Sequence, residues 1–189
     1  MEDEGTTMFL TLVTLVALTI VLARAVKSYM KWRGTRVIIC PESRQPAGVE
    51  VDAGHAALLA PIQSSLRLKD CSRWPGRKDC GRDCLHDIKA SPEDCLLRNI
   101  LAKWYEGKEC ALCGKPFGDV YWLDRKPALM VPGKPSCEWD EIRPEEVWNV
   151  LATATAVCSN CHIAETFRRR YPELVVDRPW KPGEAHRVL

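Results

Sequence analysis

The chain has 189 residues and a net charge of +2, a length that allows one domain of ordinary size beyond an N-terminal segment. So small a positive excess gives no argument for nucleic acid, which is not an expected partner. The sequence contains no phosphate-binding loop, nucleophile elbow, H-E-x-x-H or dinucleotide fingerprint, which argues against the enzyme classes built on them. Ten cysteines indicate disulfides in a secreted chain and metal sites in a cytosolic one.

Residues 1–30 are predicted to form an N-terminal transmembrane anchor. Residues 5–23 carry no charge, and as a helix they would span about 28 Å, close to the bilayer's hydrocarbon thickness of about 30 Å. A cleaved signal peptide is the alternative, but such peptides begin with basic residues, whereas this chain begins Glu2-Asp3-Glu4. The lipid bilayer is therefore the first predicted partner.

The charges that follow this segment predict its orientation. Cationic loops remain on the cytosolic side of a membrane, so the N-terminus is expected outside and the C-terminal domain in the cytosol. Thiols stay reduced in the cytosol, which favours metal binding over disulfides. The basic residues, with no acid among them, are Arg24, Lys27, Lys31, Arg33 and Arg36.

Residues 36–70 are predicted to form a small β region. Residues 36–40 are β-branched, residues 49–52 alternate with period two, and turn-forming residues lie between them. Residues 66–68 also alternate and predict a third strand. Cys40 begins the loop after the first strand, where a metal ligand and a half-buried structural thiol are both open interpretations.

Residues 71–107 contain a second group of cysteines and a helix. The cysteines lie in a stretch rich in Arg, Lys, Asp and Gly, which offers little apolar core. Such a segment usually needs a metal ion or disulfide bonds to stabilise its fold. A metal ion, an iron–sulfur cluster and purely structural thiols remain open, and His86 could replace one ligand. The candidate ligands are Cys71, Cys80, Cys84 and Cys95.

The helix in this segment is predicted from its capping residues. Ser91 is a suitable N-cap, Pro92 suits the first helical position and Asp94 occupies the acidic position of a capping box. Gly107 ends the pattern. The predicted apolar face consists of Leu96, Leu97, Ile100, Leu101 and Trp104.

Residues 108–176 contain two Cys-x-x-Cys pairs, Cys110/Cys113 and Cys158/Cys161, with 44 residues between the pairs. Four thiolates within reach of one tetrahedral ion are typical of a structural Zn²⁺ site. Redox dithiols and buried thiols are the alternatives. A knuckle, which is a tight turn presenting the sulfurs, is predicted at the first pair, and the second pair is predicted to begin a helix.

The sequence Cys-x-x-Cys-Gly-Lys-Pro-Phe at 110–117, then Asp124 with a basic neighbour, then Cys-x-x-Cys-His at 158–162, resembles the treble-clef module of the HNH endonuclease superfamily. The resemblance implies a zinc module with four cysteine ligands and covers the C-terminal part of the chain alone. The family's general base is a histidine that follows the aspartate, but here Arg125 stands there, and a guanidinium cannot accept a proton from water. The family's asparagine has no close counterpart, since Asn149 lies nine residues before Cys158. A non-catalytic relative is therefore implied.

The run Cys158-Ser-Asn-Cys161-His162 is also the attachment motif of c-type haem. Haem would be bound through the two thiols, with His162 as an iron ligand. That interpretation requires an extracytoplasmic domain and leaves the Cys110/Cys113 pair without a role. Cys137 is isolated and has no predicted role, and the tail at 177–189 is predicted to be loosely ordered.

The sequence as a whole predicts an α+β protein. A single transmembrane helix precedes a small β region, a helix and a four-cysteine module of treble-clef or zinc-ribbon type. The predicted function is that of a membrane-anchored, cytosolic zinc-binding domain with a non-catalytic binding or scaffolding role and a protein partner. A c-type haem electron-transfer protein is the first alternative, and an HNH-type nuclease is the second.

Overall fold

The computed structural model describes residues 2–60, 65–76, 79–120, 122 and 125–175. These form an N-terminal unit (Met1–Glu106 with Asp140–Ala152) and a C-terminal unit (Gly107–Trp139 with Thr153–Leu189). The mixed α+β class is confirmed. The elements are α1 (Glu2–Trp32), β1 (Thr35–Ile39), β2 (Pro46–Val51), α2 (Ala53–Leu59), β3 (Leu68–Cys71), α3 (Cys84–Ala90), α4 (Leu97–Tyr105), β4 (Ala128–Met130), β5 (Ser136–Cys137), α5 (Val147–Thr153), β6 (Thr155–Val157) and α6 (Ser159–Arg170), with short 3-10 turns at Trp139–Glu141, Pro144–Glu146 and Pro172–Leu174.

Helix α1 is long and apolar enough to cross a membrane, as the sequence predicts. Its stretch Gly5–Trp32 has 28 residues and reaches a mean hydropathy of 2.3, with side chains exposed throughout the most apolar part. Three threonines within that part would be costly in lipid if their hydroxyls were unpaired. Each hydroxyl donates to the carbonyl three residues earlier, from Thr11, Thr14 and Thr19.

The last turn of α1 is built into the N-terminal unit. Trp32 is buried in the core of this unit, and Ser28 Oγ donates to the carbonyl of Ala56 in α2 at 2.9 Å. Arg36, which follows the helix, is fully buried and donates from Nη1 to Trp32 O at 2.8 Å and from Nη2 to Lys31 O at 2.7 Å. The guanidinium therefore caps carbonyls that the helix end leaves unpaired. Because Arg36 is buried, the exposed basic residues after the most apolar part of α1 are Arg24, Lys27, Lys31 and Arg33.

The sheet of the N-terminal unit has the antiparallel order β1-β2-β3, so a β region of three strands is present. The third strand begins at Leu68, where the predicted strand at 66–68 ends. Its register pairs Ile39 with Pro46 and Val49 with Cys71. Helices α2 and α3 were not predicted. Helix α2 begins where the Asp52 side chain accepts from the amide of His55 at 2.9 Å, an ordinary N-cap.

Helix α4 begins at Leu97 rather than at Pro92, and the capping prediction for Ser91 was wrong. Ser91 instead ends α3, and Leu96 has an extended backbone. The cause is pairing with the outer edge of β1, since Val37 donates to the carbonyl of Cys95 at 2.8 Å and Arg36 forms a bridge with Leu96. Pairing with the sheet has overridden a local helix signal.

Residues 140–152 belong to the N-terminal unit, although they follow the first cysteine pair in sequence. Trp104 Nε1 in α4 donates to the carbonyl of Leu151 in α5 at 3.1 Å. Pro144 lies so close to β2 that a Cβ at Gly48 would stand 2.4 Å from the proline Cβ, so only glycine fits there.

The C-terminal unit contains a small sheet of order β5-β4-β6 and the helix α6. One cluster of buried core residues consists of Cys110, Ala128 and Val157, with Phe117, Met130, Cys158 and Cys161 packed against them. Strand β6 follows α5 and separates it from Cys158. Tyr121, Leu123, Asp124 and the tail at 177–189 lie outside the described residues.

Candidate metal centre

The first cysteine pair lies in a tight turn, as predicted for a knuckle. The amide of Gly114 donates to the carbonyl of Cys110 at 2.8 Å, and the amide of Cys110 donates to Lys115 O at 2.9 Å. Gly114 has a φ of 70°, in the left-handed region that glycine enters at little cost. The turn places Cys110 in the core and leaves Cys113 exposed.

The second pair enters the site from the end of β6. Cys158 is the N-cap residue of α6, and Cys161 lies in the first turn of that helix. The amide of Ala111 donates to the carbonyl of Ala156 at 2.9 Å, which fixes the knuckle to β6. The amide of Cys158 then lies 3.3 Å from Cys110 Sγ and donates to it. These bonds bring together two pairs that are far apart in sequence.

The sulfurs of Cys110, Cys113, Cys158 and Cys161 all lie within 4.8 Å of one another. Cys113 Sγ and Cys158 Sγ are 3.8 Å apart. Tetrahedral coordination with Zn–S bonds of about 2.3 Å places sulfurs about 3.8 Å apart, whereas a disulfide bond is about 2.05 Å long. All ten cysteines, each of which lies in the described part of the chain, are thiols. This group could hold a metal ion.

The electrostatics of the four thiols favour a cation. Burial raises the pKa of Cys110, but backbone amides of Cys158, Leu112 and Cys113 outweigh burial and lower that pKa to about 6. Burial and the neighbouring thiols raise the pKa of Cys161, and burial is also the largest cause of the raised pKa of Cys158. Four thiolates in this volume repel one another, and a divalent cation would relieve that repulsion.

His162 follows the second pair and faces oxygen atoms at both ring nitrogens. Its Nδ1 lies 2.8 Å from Ser136 Oγ, and its Nε2 lies 3.9 Å from Glu138 Oε1. The Ser136 hydroxyl also contacts Glu165, one turn further along α6. Ser136 and Glu138 were not identified from the sequence. Glu165 lies three residues after His162 on a helix, and that spacing is the one signal that could have indicated a network.

The second group of cysteines is arranged differently from the predicted set of Cys71, Cys80, Cys84 and Cys95. Cys95 lies at the edge of β1, where its Sγ is 3.6 Å from the carbonyl of Pro92 and Arg36 is its charged neighbour. The electrostatic neighbours of Cys84 are instead Cys71, Cys80 and Cys40.

The remaining candidates take no part in either cysteine group. The side chain of His86 is 90% exposed beside Asp87. Cys137 lies in β5, paired with Leu129 of β4.

Comparison with known proteins finds no family model that matches this chain, and neither a curated protein nor a solved structure that is detectably similar to it.

Proposed function

We propose that this chain is a membrane-anchored zinc protein with a non-catalytic binding or scaffolding role on the cytosolic side. In this proposal Cys110, Cys113, Cys158 and Cys161 are the zinc ligands. The observation that carries the proposal is the convergence of these four sulfurs within 4.8 Å. Four soft thiolates in a nearly tetrahedral set match the preference of Zn²⁺.

The place of the ligands in the core supports a structural role for the metal. In one buried cluster of the C-terminal unit Cys110 is a core residue, and Cys158 and Cys161 pack against that cluster. Zinc binding at such a position supplies folding free energy directly. The order of knuckle, β4–β5 hairpin and α6 also supports a treble-clef-like module.

The proposed role is non-catalytic because all four proposed zinc ligands are cysteine thiolates. Four thiolates complete the coordination of Zn²⁺ and leave no position for a water molecule to be activated. A guanidinium cannot accept a proton from water, so Arg125 cannot act as the base of an HNH-type nuclease. His162, the family's remaining residue, already contacts Ser136 and faces Glu138.

The arrangement of the thiols favours zinc over c-type haem. Haem would use Cys158, Cys161 and His162 alone, but all four thiols of the two pairs converge. The His162 ring is held by Ser136, and its side chain is only 12% exposed. The cytosolic location rests on the basic residues that follow the apolar stretch of α1, and reduced thiols fit it.

The proposed partner is a protein segment that carries both apolar and acidic residues. On α6, Ile163 and Phe167 lie one turn apart and are 64% and 45% exposed. They line a groove together with Arg168 and Val175. Basic residues occupy the last turn of α6, so an acidic partner would be attracted to the end of an exposed apolar face.

Metal analysis of the full chain in detergent tests the zinc assignment. Simultaneous Cys110→Ser and Cys158→Ser substitution should remove one equivalent of zinc per chain, because it removes one ligand from each pair. Cys137→Ser is the matched control and should leave the zinc content unchanged. An unchanged zinc content in the double variant would overturn the assignment.

A further inference from the structure

The turn that follows β1 has the hydrogen bonds of a metal-binding knuckle. The amide of Arg44 donates to the carbonyl of Cys40 at 2.7 Å, and the amide of Cys40 donates to the carbonyl of Gln45 at 2.9 Å. Arg44 has a φ of 53°, in the left-handed region. Each feature has a counterpart in the C-terminal unit.

The counterpart is the turn at the first cysteine pair. There the amide of Gly114, four residues after Cys110, donates to the carbonyl of Cys110 at 2.8 Å. The amide of Cys110 donates to the carbonyl of Lys115, five residues on, at 2.9 Å. The residue that donates to the cysteine carbonyl again has a positive φ, 70° at Gly114. The two turns therefore have the same backbone design around their first cysteine.

The environment of the Cys40 sulfur also matches. The amides two and three residues after the cysteine, at Glu42 and Ser43, favour the thiolate of Cys40, as the amides of Leu112 and Cys113 favour that of Cys110. In sequence the turn is Cys-x-x-Ser, so serine stands where the other turn has its second cysteine. The turn itself therefore offers one cysteine, and a metal site with four thiol ligands needs three more from other parts of the chain.

The sheet directs one of these cysteines, Cys71, toward the same end of the sheet as Cys40. Strands β1 and β3 both run antiparallel to β2, which lies between them, so their C-terminal ends share one end of the sheet. Cys40 directly follows β1, and Cys71 is the last residue of β3. Arg73 links the two ends, since its Nη2 lies 2.8 Å from Gln45 Oε1.

The start of α3 supplies the other two cysteines, since Cys80 lies just before this helix and Cys84 is its first residue. The amide of Gly81 donates to the side chain of Glu42 in the Cys40 turn at 2.8 Å, which holds the chain between Cys80 and Cys84 against that turn. Cys84 is the first residue of α3 and is buried, and Cys40 and Cys71 pack against the same core.

The thiols also influence one another electrostatically. Burial, with smaller contributions from Cys71, Cys80 and Cys40, raises the pKa of Cys84 to about 11. Burial likewise raises the pKa of Cys71, with further contributions from Cys80 and Cys40. A cation bound at this end of the sheet would stabilise these thiols as thiolates.

We propose that Cys40, Cys71, Cys80 and Cys84 form a second zinc site with four thiolate ligands, located in the N-terminal unit. Cys95, which the sequence analysis grouped with them, is not a ligand. On binding, each thiol releases its proton to the solvent and no electron is transferred. The ion would join the ends of β1 and β3 to the start of α3 across a segment rich in charged residues, which supplies little apolar core. This site is separate from the ligand set of the proposed function.

Zinc content of the full chain in detergent tests this site by single substitutions. The unsubstituted protein should hold two equivalents of zinc per chain, and Cys40→Ser should lose one of them. Cys95→Ser is the matched control, since it changes a neighbouring half-buried thiol, and it should retain both. Retention of both equivalents in Cys40→Ser, or loss of one in Cys95→Ser, would overturn the proposed ligand set.

Cobalt substitution provides a second measurement that does not depend on the folding of Cys40→Ser. The Cys110→Ser/Cys158→Ser variant, loaded with Co²⁺ alone, should bind one equivalent and show the absorption of tetrahedral thiolate-bound cobalt. Absence of that absorption would overturn the second site even if the double variant has lost its other zinc as expected. Conversely, a double variant that still holds two zinc ions would contradict the proposed function and leave the second site intact.

Discussion

The hydroxyl of Ser136 lies 2.8 Å from Nδ1 of His162, and this contact joins β5 to α6. The other ring nitrogen faces Glu138 at 3.9 Å, and Ser136 also contacts Glu165. The imidazole therefore holds the helix on the sheet next to the cysteine group. This position gives His162 a structural role in the C-terminal unit.

His162→Ala should preserve the zinc content of the C-terminal unit and lower its stability. Loss of the hydrogen bond to Ser136 is expected to reduce the free energy of unfolding by about 1 kcal/mol. Thermal denaturation with parallel zinc analysis measures both effects. His86→Ala is the control, because the His86 side chain is 90% exposed. Loss of zinc on substitution of His162 would show that this residue is a ligand.

Substitution of Arg36 by Met should destabilise the N-terminal unit. The buried guanidinium donates to the carbonyls of Lys31, Trp32 and Gly34, and these would lose their partner. The expected loss in the free energy of unfolding is about 3 kcal/mol. Arg33→Met, at an exposed neighbouring position, should change it by less than about 0.5 kcal/mol. Equal effects of the two substitutions, measured by thermal denaturation in detergent, would contradict the capping role.

Removal of the metal should unfold the C-terminal unit before the chain as a whole denatures. A zinc chelator is expected to lower the thermal midpoint, and added Zn²⁺ should restore it, because metal binding and folding are coupled here. Hydrogen exchange at the amides of Ala111 and Cys158 would locate the change, since both amides are bonded at the site. Unchanged protection of these amides after complete zinc removal would count against a structural role.

A reporter fused after Leu189 tests the membrane orientation. The basic residues that follow the apolar stretch of α1 predict activity with a reporter that functions only in the cytosol. Activity confined to an extracytoplasmic reporter would reverse the orientation. A haem stain of the denatured chain and a Soret absorption band would then test Cys158, Cys161 and His162 as a haem site.

A photo-reactive amino acid at Phe167 tests the proposed partner surface on α6. Cross-linking in cells should join this position to a protein, because Phe167 lies in the exposed apolar groove. Glu173, exposed beyond the helix, is the control position and should give little product. Cross-linking of Phe167 to lipid rather than protein would indicate that the groove contacts the membrane.

Local features of the sequence predicted the elements that depend on few residues. The turn at Cys110 and Gly114 follows from a short motif, and α1 follows from an uninterrupted apolar run. Helix α4 was predicted to begin too early, because the pairing of Leu96 with β1 outweighs the capping signal of Ser91. The neighbours of Cys40 could not be predicted, because they depend on which strands lie at the same end of the sheet.

The continuity of α1 with the core of the N-terminal unit has a mechanical consequence. The helix runs without interruption from Glu2 to Trp32, and Trp32, Ser28 and Arg36 fix its end to this unit. Within the described residues 2–60, no hinge separates the segment predicted to cross the bilayer from the fold that it carries. When a bilayer is thinner than the helix, the helix tilts, and the N-terminal unit must turn with it. The thickness of the surrounding bilayer would therefore set the direction in which this unit faces along the membrane surface.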